Sequence, residues 1–578
     1  MALFNMTIRS LASHKTWHAW WLQFRKDKSP EGVLGRMLAF LAVVTLITAW
    51  FSETFFFPDE HFQILEYMAT KLGLTSPADL PWEYAAKARP FLQPFLYYLI
   101  AKPLMILGVK DAFDLMFVLR LVTGVFSLGV LAIFARFMLE EFQCESERFA
   151  YAKLLPFMGF LPYLFVRTAS ETAAAAFFTL AVVVAVRGAR ANSWYQLAWA
   201  GLLGGMAFEC RFQAAFLVLG LMAWLAIEAR LQWAKLAGFG VAGLAVLALS
   251  ALIDHWGYGV WCFPPWNYVD VNLIQGIASK TFGASPWYAY FYLEPGTIFA
   301  PVTAVLMIAM VVACLRNSRH VVTWVTVPFF IGHCLIGHKE ERFLFPLVIV
   351  ATAYPILAFA PGRPFPFFDR LWAWRRSVAA KLVGWSAVAA MLFLAVYPFG
   401  LRPHMKMAKY LYHHFHNGLQ AFSFDPDRFD NYPMVRPKPY RIDILFDRQD
   451  LQAQLAKGPV YLLTDAPALP VEAQGFHATL LYSEFAFAKS PAAARKASEI
   501  LCGYANLKRT TPIHPPRLKF LTLFKIEDGP ARGDIAPCRP VLDLEEGKEL
   551  QPRRMNGCGA LEIGITAQDF AGLARRRR

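Results

Sequence analysis

Two short stretches of this chain combine residue types that could do chemistry. Pro58-Asp59-Glu60-His61-Phe62-Gln63 offers an adjacent pair of carboxylates, and His338-Lys339-Glu340-Glu341-Arg342 sets five titratable residues in a row. A carboxylate beside a hydroxyl can take its proton as general base. Fixed cations stabilise the charge that gathers on an anionic leaving group. Glu83 and Arg89 share the early loop with Asp59, while Arg167, Ser170, Glu171, Arg211 and Asp254 flank later apolar runs.

Each of these has an ordinary structural alternative. Pro58 suits the first turn of a helix, where acidic residues favour the dipole, and that alone would account for Asp59-Glu60. The run from His338 to Arg342 could seal a helix end at lipid headgroups. Five such residues between two apolar spans are harder to reduce to a cap. Arg167 and Arg211, taken singly, could anchor to headgroups. The aromatic loop at about 254–295 holds Trp287 and Tyr288 among many Trp and Tyr. Membrane interfaces collect such residues, which covers about half of them; the rest could wall a sugar or a lipid headgroup.

Three further matches carry little. Gly238-Phe239-Gly240-Val241-Ala242-Gly243 fits a dinucleotide pattern but lies inside an apolar span, where close helix packing is the better reading. Asp425-Pro426-Asp427 has no further ligands after it, and His413, His414 and His416 lack a partner at a metal-site spacing. No metal or other cofactor is expected.

The elements that must hold the candidate residues are membrane helices. Of 578 residues 57% are hydrophobic and 17% charged, against about 25% charged in soluble domains. Apolar residues gather in blocks of about 17–25, the length that crosses about 30 Å of hydrocarbon. Spans read at about 37–56, 113–138, 150–166, 172–186, 197–210, 213–229, 235–254, 296–315, 321–337, 343–361 and 378–399. The first starts too late and runs too far for a cleaved signal peptide. Residues 92–108 are apolar too, yet contain Pro94, Lys102 and Pro103, so they are expected not to cross.

With that choice, Arg148, Lys153, Arg187, Arg190, Arg230, Lys235, Arg316, Arg319 and Arg370 all fall in cytoplasmic loops, the positive-inside arrangement. Roughly eleven crossings follow. Residues 1–36 read as a cytoplasmic segment and 37–400 as the membrane domain, with a first outer loop at 57–91. Residues 401–578 read as a small mixed α/β domain on the outer side, with short apolar runs such as Val460–Leu463 and Phe520–Leu523.

The same parity collects Asp59, Glu60, Glu83, Arg89, Arg167, Glu171, Arg211, Asp254 and residues 338–342 on the outer face. The net charge of +15 then needs no nucleic acid partner. The eight cysteines form no framework, although one disulfide among Cys502, Cys538 and Cys558 would be possible in an oxidising compartment.

At these residues the chain resembles glycosyltransferase family 22, the membrane α-mannosyltransferases of N-glycan and GPI-anchor assembly. Residues 58–63 resemble the family's first-loop motif, and His338-Lys339-Glu340-Glu341-Arg342-Phe343-Leu344-Phe345-Pro346 its most distinctive signature. Trp82-Glu83-Tyr84 with Arg89, Arg167–Ser170, and Tyr258-Gly259 through Asn267, Asn272 and Pro286-Trp287 follow in family order. Glu171 stands where the family often has Asn, and the tail after 400 offers no match.

The resemblance implies an all-α polytopic membrane protein of GT-C type and inverting transfer of mannose from a polyprenyl- or dolichyl-phosphate donor. The acceptor would be a glycan or glycolipid. Asp59 would be the base, with Glu60 supporting it; His338, Lys339, Arg342, Arg167 and Arg89 would receive the donor phosphate. Glu83, Glu341, Trp287 and Tyr288 would touch substrate, with Glu341 orienting Arg342.

Two other classes compete. A lipid-linked-sugar flippase or transporter should carry its charges near the bilayer midplane, often in repeated halves, whereas here they sit at span ends without a repeat. A structural scaffold would explain the spans but not the one-sided charge. Alanine richness, short connections and the lack of an outward-facing glycosylation sequon point to a bacterial inner membrane with a periplasmic site. The endoplasmic reticulum membrane with a lumenal site is the alternative.

Overall fold

The computed structural model describes residues 27–293, 300–360, 377–396, 404–415, 418–424, 440–464, 469–483 and 522–530. Helix α1 (Pro30–Phe51) opens it. Ser29 accepts a hydrogen bond from the Gly32 amide and Pro30 holds the first turn, so the helix begins about seven residues before the apolar run that marks it in the sequence. A π-helical turn (Glu60–Leu65) leads into α2 (Glu66–Leu72). Then come α3 (Leu92–Ile106), α4 (Ala112–Glu141), α5 (Glu145–Leu154), α6 (Ser170–Arg190), α7 (Trp194–Cys210), α8 (Ala215–Ile227) and α9 (Trp233–Tyr258).

After a loop of short helices the chain continues through α10 (Ala300–Arg316) and α11 (Val321–Leu335). A 3-10 stretch (Glu341–Leu347) and α12 (Tyr354–Phe359) follow, then α13 (Val378–Val396).

Five helices are each long and apolar enough to cross a membrane: α1, α4, α6, α9 and α13. Glu341–Leu347 with Val350–Phe359 makes a sixth if that pair, bent by 71°, is one span. Shorter apolar helices occupy Phe212–Ile227, Val302–Arg316 and Val321–Leu335. This is a multi-pass integral membrane protein.

Two of the expected spans take other forms. Residues 150–166 are broken into α5, a 3-10 turn at Leu155–Phe157 and a helical turn at Leu161–Phe165, because Pro156 and Pro162 interrupt the hydrogen-bond ladder. Residues 197–210 form α7, a helix of 17 residues. Helix α3 has 15 residues with Pro103 inside it. At about 1.5 Å per residue it is shorter than the hydrocarbon layer, and it buries Leu92, Tyr97 and Ala101 against α2 and α4.

Close packing of α7 on α9 depends on glycine. A Cβ at Gly201 would run into the Phe239 carbonyl, and one at Gly205 would lie 2.8 Å from the Gly243 oxygen. Of the three glycines from 238 to 243 only Gly243 faces this crossing; Gly238 and Gly240 have nothing within 4 Å of a Cβ. Gly201→Leu should therefore lower thermal stability by about 1–3 kcal/mol, seen as an earlier melt in detergent, while Gly240→Leu should leave the melt unchanged.

The C-terminal region adds α14 (His404–His414) and a five-stranded sheet with α15 (Arg448–Leu455) packed on it. The strands are β1 (Leu419–Ser423), β2 (Tyr440–Ile444), β3 (Val460–Thr464), β4 (Phe476–Ser483) and β5 (Thr522–Pro530). Their order is β2-β1-β3-β5-β4; β1 runs parallel to β2 and β3, while β5 is antiparallel to β3 and β4. This is the small mixed domain expected from the sequence.

Helix α14 is the joint. Met405 and Ala408 pack with α2–α4, whereas Met407 and Leu411 pack with the sheet. Lys409 to Glu53 and His413 to Asp111, each 2.7 Å, fasten it beside the end of α1 and the start of α4. His413 thus has a carboxylate partner, and His414 bonds the Tyr410 carbonyl. Asp425, Asp427, His416 and the three tail cysteines lie outside the described residues.

Candidate active site

The charged residues converge where α1, α7 and α11 end and α6 begins. The π-helical turn sets the first group. A π turn adds a residue to the helical register, a device often found at functional sites. Here buried Glu66 anchors it, held at 2.5 Å by both His61 and Thr75.

Just before this turn Asp59 keeps a partly open side chain, 31% exposed, and Arg342 Nη2 lies 2.6 Å from its Oδ2. Glu60 points the other way and is 3% exposed. Its Oε1 accepts from the Thr168 amide and hydroxyl, and its Oε2 accepts from the Phe56 amide. Glu60 therefore ties the first loop to the segment before α6.

Arg342 sits at the centre. It donates from Nε and Nη2 to both oxygens of Glu340, at 2.7 and 3.0 Å. Glu171 Oε1 lies 3.8 Å from its Nε, and the guanidinium rests over the rings of Phe57 and Phe343. Burial alone would favour the neutral form. The charges of Asp59, Glu340 and Glu171 outweigh it and hold Arg342 firmly protonated. Burial likewise opposes ionisation of Glu340. The hydrogen bond from His338 and the Arg342 charge overcome it and bring Glu340 down to about 2.

The orienting partner of Arg342 is thus Glu340 and not Glu341. Residue 340 has extended backbone, φ −133° and ψ 149°, and caps the 3-10 stretch that begins at Glu341, so its carboxylate reaches Arg342 in the first turn. The Glu341 carboxyl is raised by burial and by its Glu340 neighbour.

Three more arginines close the ring. Arg211, in the break after α7, lies 2.8 Å from Glu171 and rests over Phe343. Arg167 donates to the carbonyls of Thr54 (2.6 Å) and Tyr163 (3.2 Å), with Glu60 at 3.9 Å. Arg89 stands 3.7 Å from Glu83 and 5.3 Å from the Tyr268 ring centroid. Glu83 accepts from Gln63 at 3.0 Å. Burial raises the Glu83 carboxyl, and Arg89 only partly offsets this.

Some candidates stand apart. Lys339 Nζ donates to the carbonyls of Ile336 (2.5 Å) and Ser285 (3.1 Å), so it stitches a loop and does not join the carboxylates. His338 bonds Glu340 and the Gly283 carbonyl. Ser285 and Gly337 share a backbone hydrogen bond, which lays the aromatic loop along this segment. Trp287 and Tyr288 project from it, 64% and 49% exposed. Asp254 is not a free charge: it accepts from the Phe91 amide at 2.7 Å.

Among the described residues no group of three or more His, Cys, Asp and Glu is arranged to hold a metal ion. The arrangement offers a half-open carboxylate beside several fixed guanidiniums.

GPI mannosyltransferase 3 of Candida albicans is 25% identical over 344 residues, 58% of this chain and 64% of that protein. GPI alpha-1,2-mannosyltransferase 3 of Danio rerio is 25% identical over 363 residues, 60% of this chain and 61% of that protein. The chain thus spans about three fifths of the length of these relatives. Among solved structures, ArnT from Cupriavidus metallidurans bound to undecaprenyl phosphate superposes with a TM-score of 0.48 at 10% identity, covering 84% of this chain and 97% of that one. Residues 36–417, which contain every element of the charged cluster, match the Alg9-like mannosyltransferase family, and the chain belongs to that family.

Proposed function

We propose that this chain is an inverting mannosyltransferase. It takes mannose from a polyprenyl- or dolichyl-phosphate and places it on a hydroxyl of a glycan or glycolipid. Asp59 at 2.6 Å from Arg342 carries the reading: a carboxylate with an open edge beside a protonated guanidinium, in a chain of this family. Glu340 is held at about 2 and is a poor proton acceptor. Glu60 and Glu171 are 3% and 2% exposed and engaged by neighbours. Asp59 is the carboxylate that combines an open edge with the Arg342 contact.

In the reaction the acceptor oxygen attacks the anomeric carbon as the bond to the phosphate oxygen breaks. The proton passes to Asp59, and the electron pair leaves with the lipid phosphate. Arg342, with Arg167 and Arg89, stabilises the charge gathering there. Glu83 and the exposed Trp287 and Tyr288 face the sugars. The site lies on the non-cytoplasmic face, where nucleotide sugars are not expected and a membrane-borne donor is the natural source. Alanine richness and the lack of an outward-facing sequon favour a bacterial inner membrane with a periplasmic site over the endoplasmic reticulum lumen.

The test is transfer from synthetic polyprenyl-phosphate β-mannose by purified protein in nanodiscs to a panel of mannosylated lipids. An α-linked product is expected, with polyprenyl-phosphate glucose giving little. A retained anomeric configuration, or movement of the intact lipid across the bilayer without transfer, would overturn the reading.

A further inference from the structure

Arg342 is saturated by three carboxylates. Arg120 is its opposite. It lies on α4, eight residues from the Ala112 end, inside one of the helices apolar enough to cross the membrane, and is 3% exposed. Among the described residues no carboxylate lies within ion-pair distance of it, and no acceptor takes a hydrogen bond from its guanidinium; its Nε is fully enclosed. A buried guanidinium without a partner is costly.

Its surroundings are also rich in donors. One turn along α4, a Cβ at Gly124 would lie 3.0 Å from side-chain atoms of Thr45 and of Val166, so α4 rests on α1 and on the residue before Arg167. One turn the other way, Phe117 meets Trp50 near the end of α1 edge-on at 5.2 Å. Arg120 therefore faces the end of α1 and the Arg167 segment. There Ser52 Oγ, Thr54 Oγ1 and Arg167 Nη2 are buried and likewise without partners.

Glu60 offsets this demand only in part: its oxygens accept from the Phe56 amide and from the Thr168 amide and hydroxyl, Arg167 Nη1 stands 3.9 Å from it, and it makes no ion pair with Arg120. The Arg120 guanidinium, the Nη2 of Arg167 and two hydroxyls remain for an anion, and guanidinium groups match phosphate oxygens.

We infer that Arg120, beside Arg167, Ser52 and Thr54, is a further cation for the phosphate of the lipid donor, supplied from α4 and not from the segment 338–342. This rests on the lipid-phosphate donor of the proposed function. It adds to that reading a cation on α4 that binds the phosphate before and after transfer.

The experiment measures binding of a short-chain polyprenyl phosphate and of inorganic phosphate to the full chain in nanodiscs, by ³¹P NMR titration, alongside mannose transfer. Arg120→Gln should weaken polyprenyl phosphate binding about tenfold or more, with Arg120→Lys, which keeps the charge but not the fork, regaining only part of it. Ser52→Ala with Thr54→Val should weaken binding about threefold, and this variant decides the matter if Arg120→Gln does not fold. Unchanged polyprenyl phosphate affinity in folded Arg120→Gln, or in the hydroxyl variant where Arg120→Gln fails, would overturn the site. Equal affinity for inorganic phosphate would overturn its assignment to a lipid. Wild type that binds the lipid phosphate through Arg120 but transfers no mannose keeps the site and removes the proposed activity. Normal transfer with an indifferent Arg120 does the reverse.

Discussion

Asp59→Asn is expected to lower mannose transfer roughly a thousandfold, within the range that a lost general base costs, while donor affinity stays nearly unchanged. Asn has the shape of Asp but cannot take the acceptor proton. The fold should survive, because Arg342 keeps Glu340 at 2.7 Å and Glu171 at 3.8 Å when Asp59 loses its charge. Initial rates in nanodiscs, with a melt on the same sample, give both readouts. Asp59→Glu should fall in between, since its carboxylate is displaced by one methylene. Activity of Asp59→Asn within about tenfold of wild type would move the base elsewhere. Glu60 is a poor heir: Glu60→Gln sets a donor amide against amide donors of Thr168 and Phe56, so its first effect should be on stability.

What the sequence made legible was residue type in order along the chain. Asp59, Arg89, Arg167, Glu171, Arg211 and Arg342 stand out because charge at the end of an apolar run is expensive and needs a reason. The sheet domain was legible from short apolar runs, of which Val460–Leu463 became β3.

Pairing was less so. Glu340 and Glu341 are equivalent in composition, and only the start of the 3-10 stretch at 341, with Glu340 as its cap, decides which of them bonds Arg342. Lys339 looked like a phosphate ligand until its ammonium met the nearby Ile336 carbonyl and that of Ser285, on a loop over fifty residues away.

Arg120 was invisible for the opposite reason. It lies deep in a strongly apolar 30-residue helix, where one basic residue barely alters the hydropathy. Breaks within helices were partly legible: Pro156 and Pro162 announce the interrupted span, yet nothing in the composition of residues 60–65 announces a π turn.

Arg342→Gln is expected to abolish measurable transfer and also to destabilise the protein, and the two effects can be separated. Removing one partner of a buried ion pair leaves the other charge uncompensated, at about 3–5 kcal/mol. Here the strandable charge is Glu340, which Arg342 grips with two hydrogen bonds, with Glu171 behind it. Adding Glu340→Gln removes that stranded charge. The double variant Arg342→Gln/Glu340→Gln should therefore recover most of the melting temperature, in the manner of coupled neighbours. It should not recover transfer, because no guanidinium then stands 2.6 Å from Asp59 to meet the leaving phosphate. Arg342→Lys keeps a charge but not the fork that holds Glu340 while reaching Asp59, so it should retain a minor fraction of activity. Paired measurements of melting temperature and initial rate for the three variants settle the role. If transfer returned with stability in the double variant, Arg342 would be scaffolding, and the charge on the leaving phosphate would have to be met by Arg89, Arg167 and Arg120.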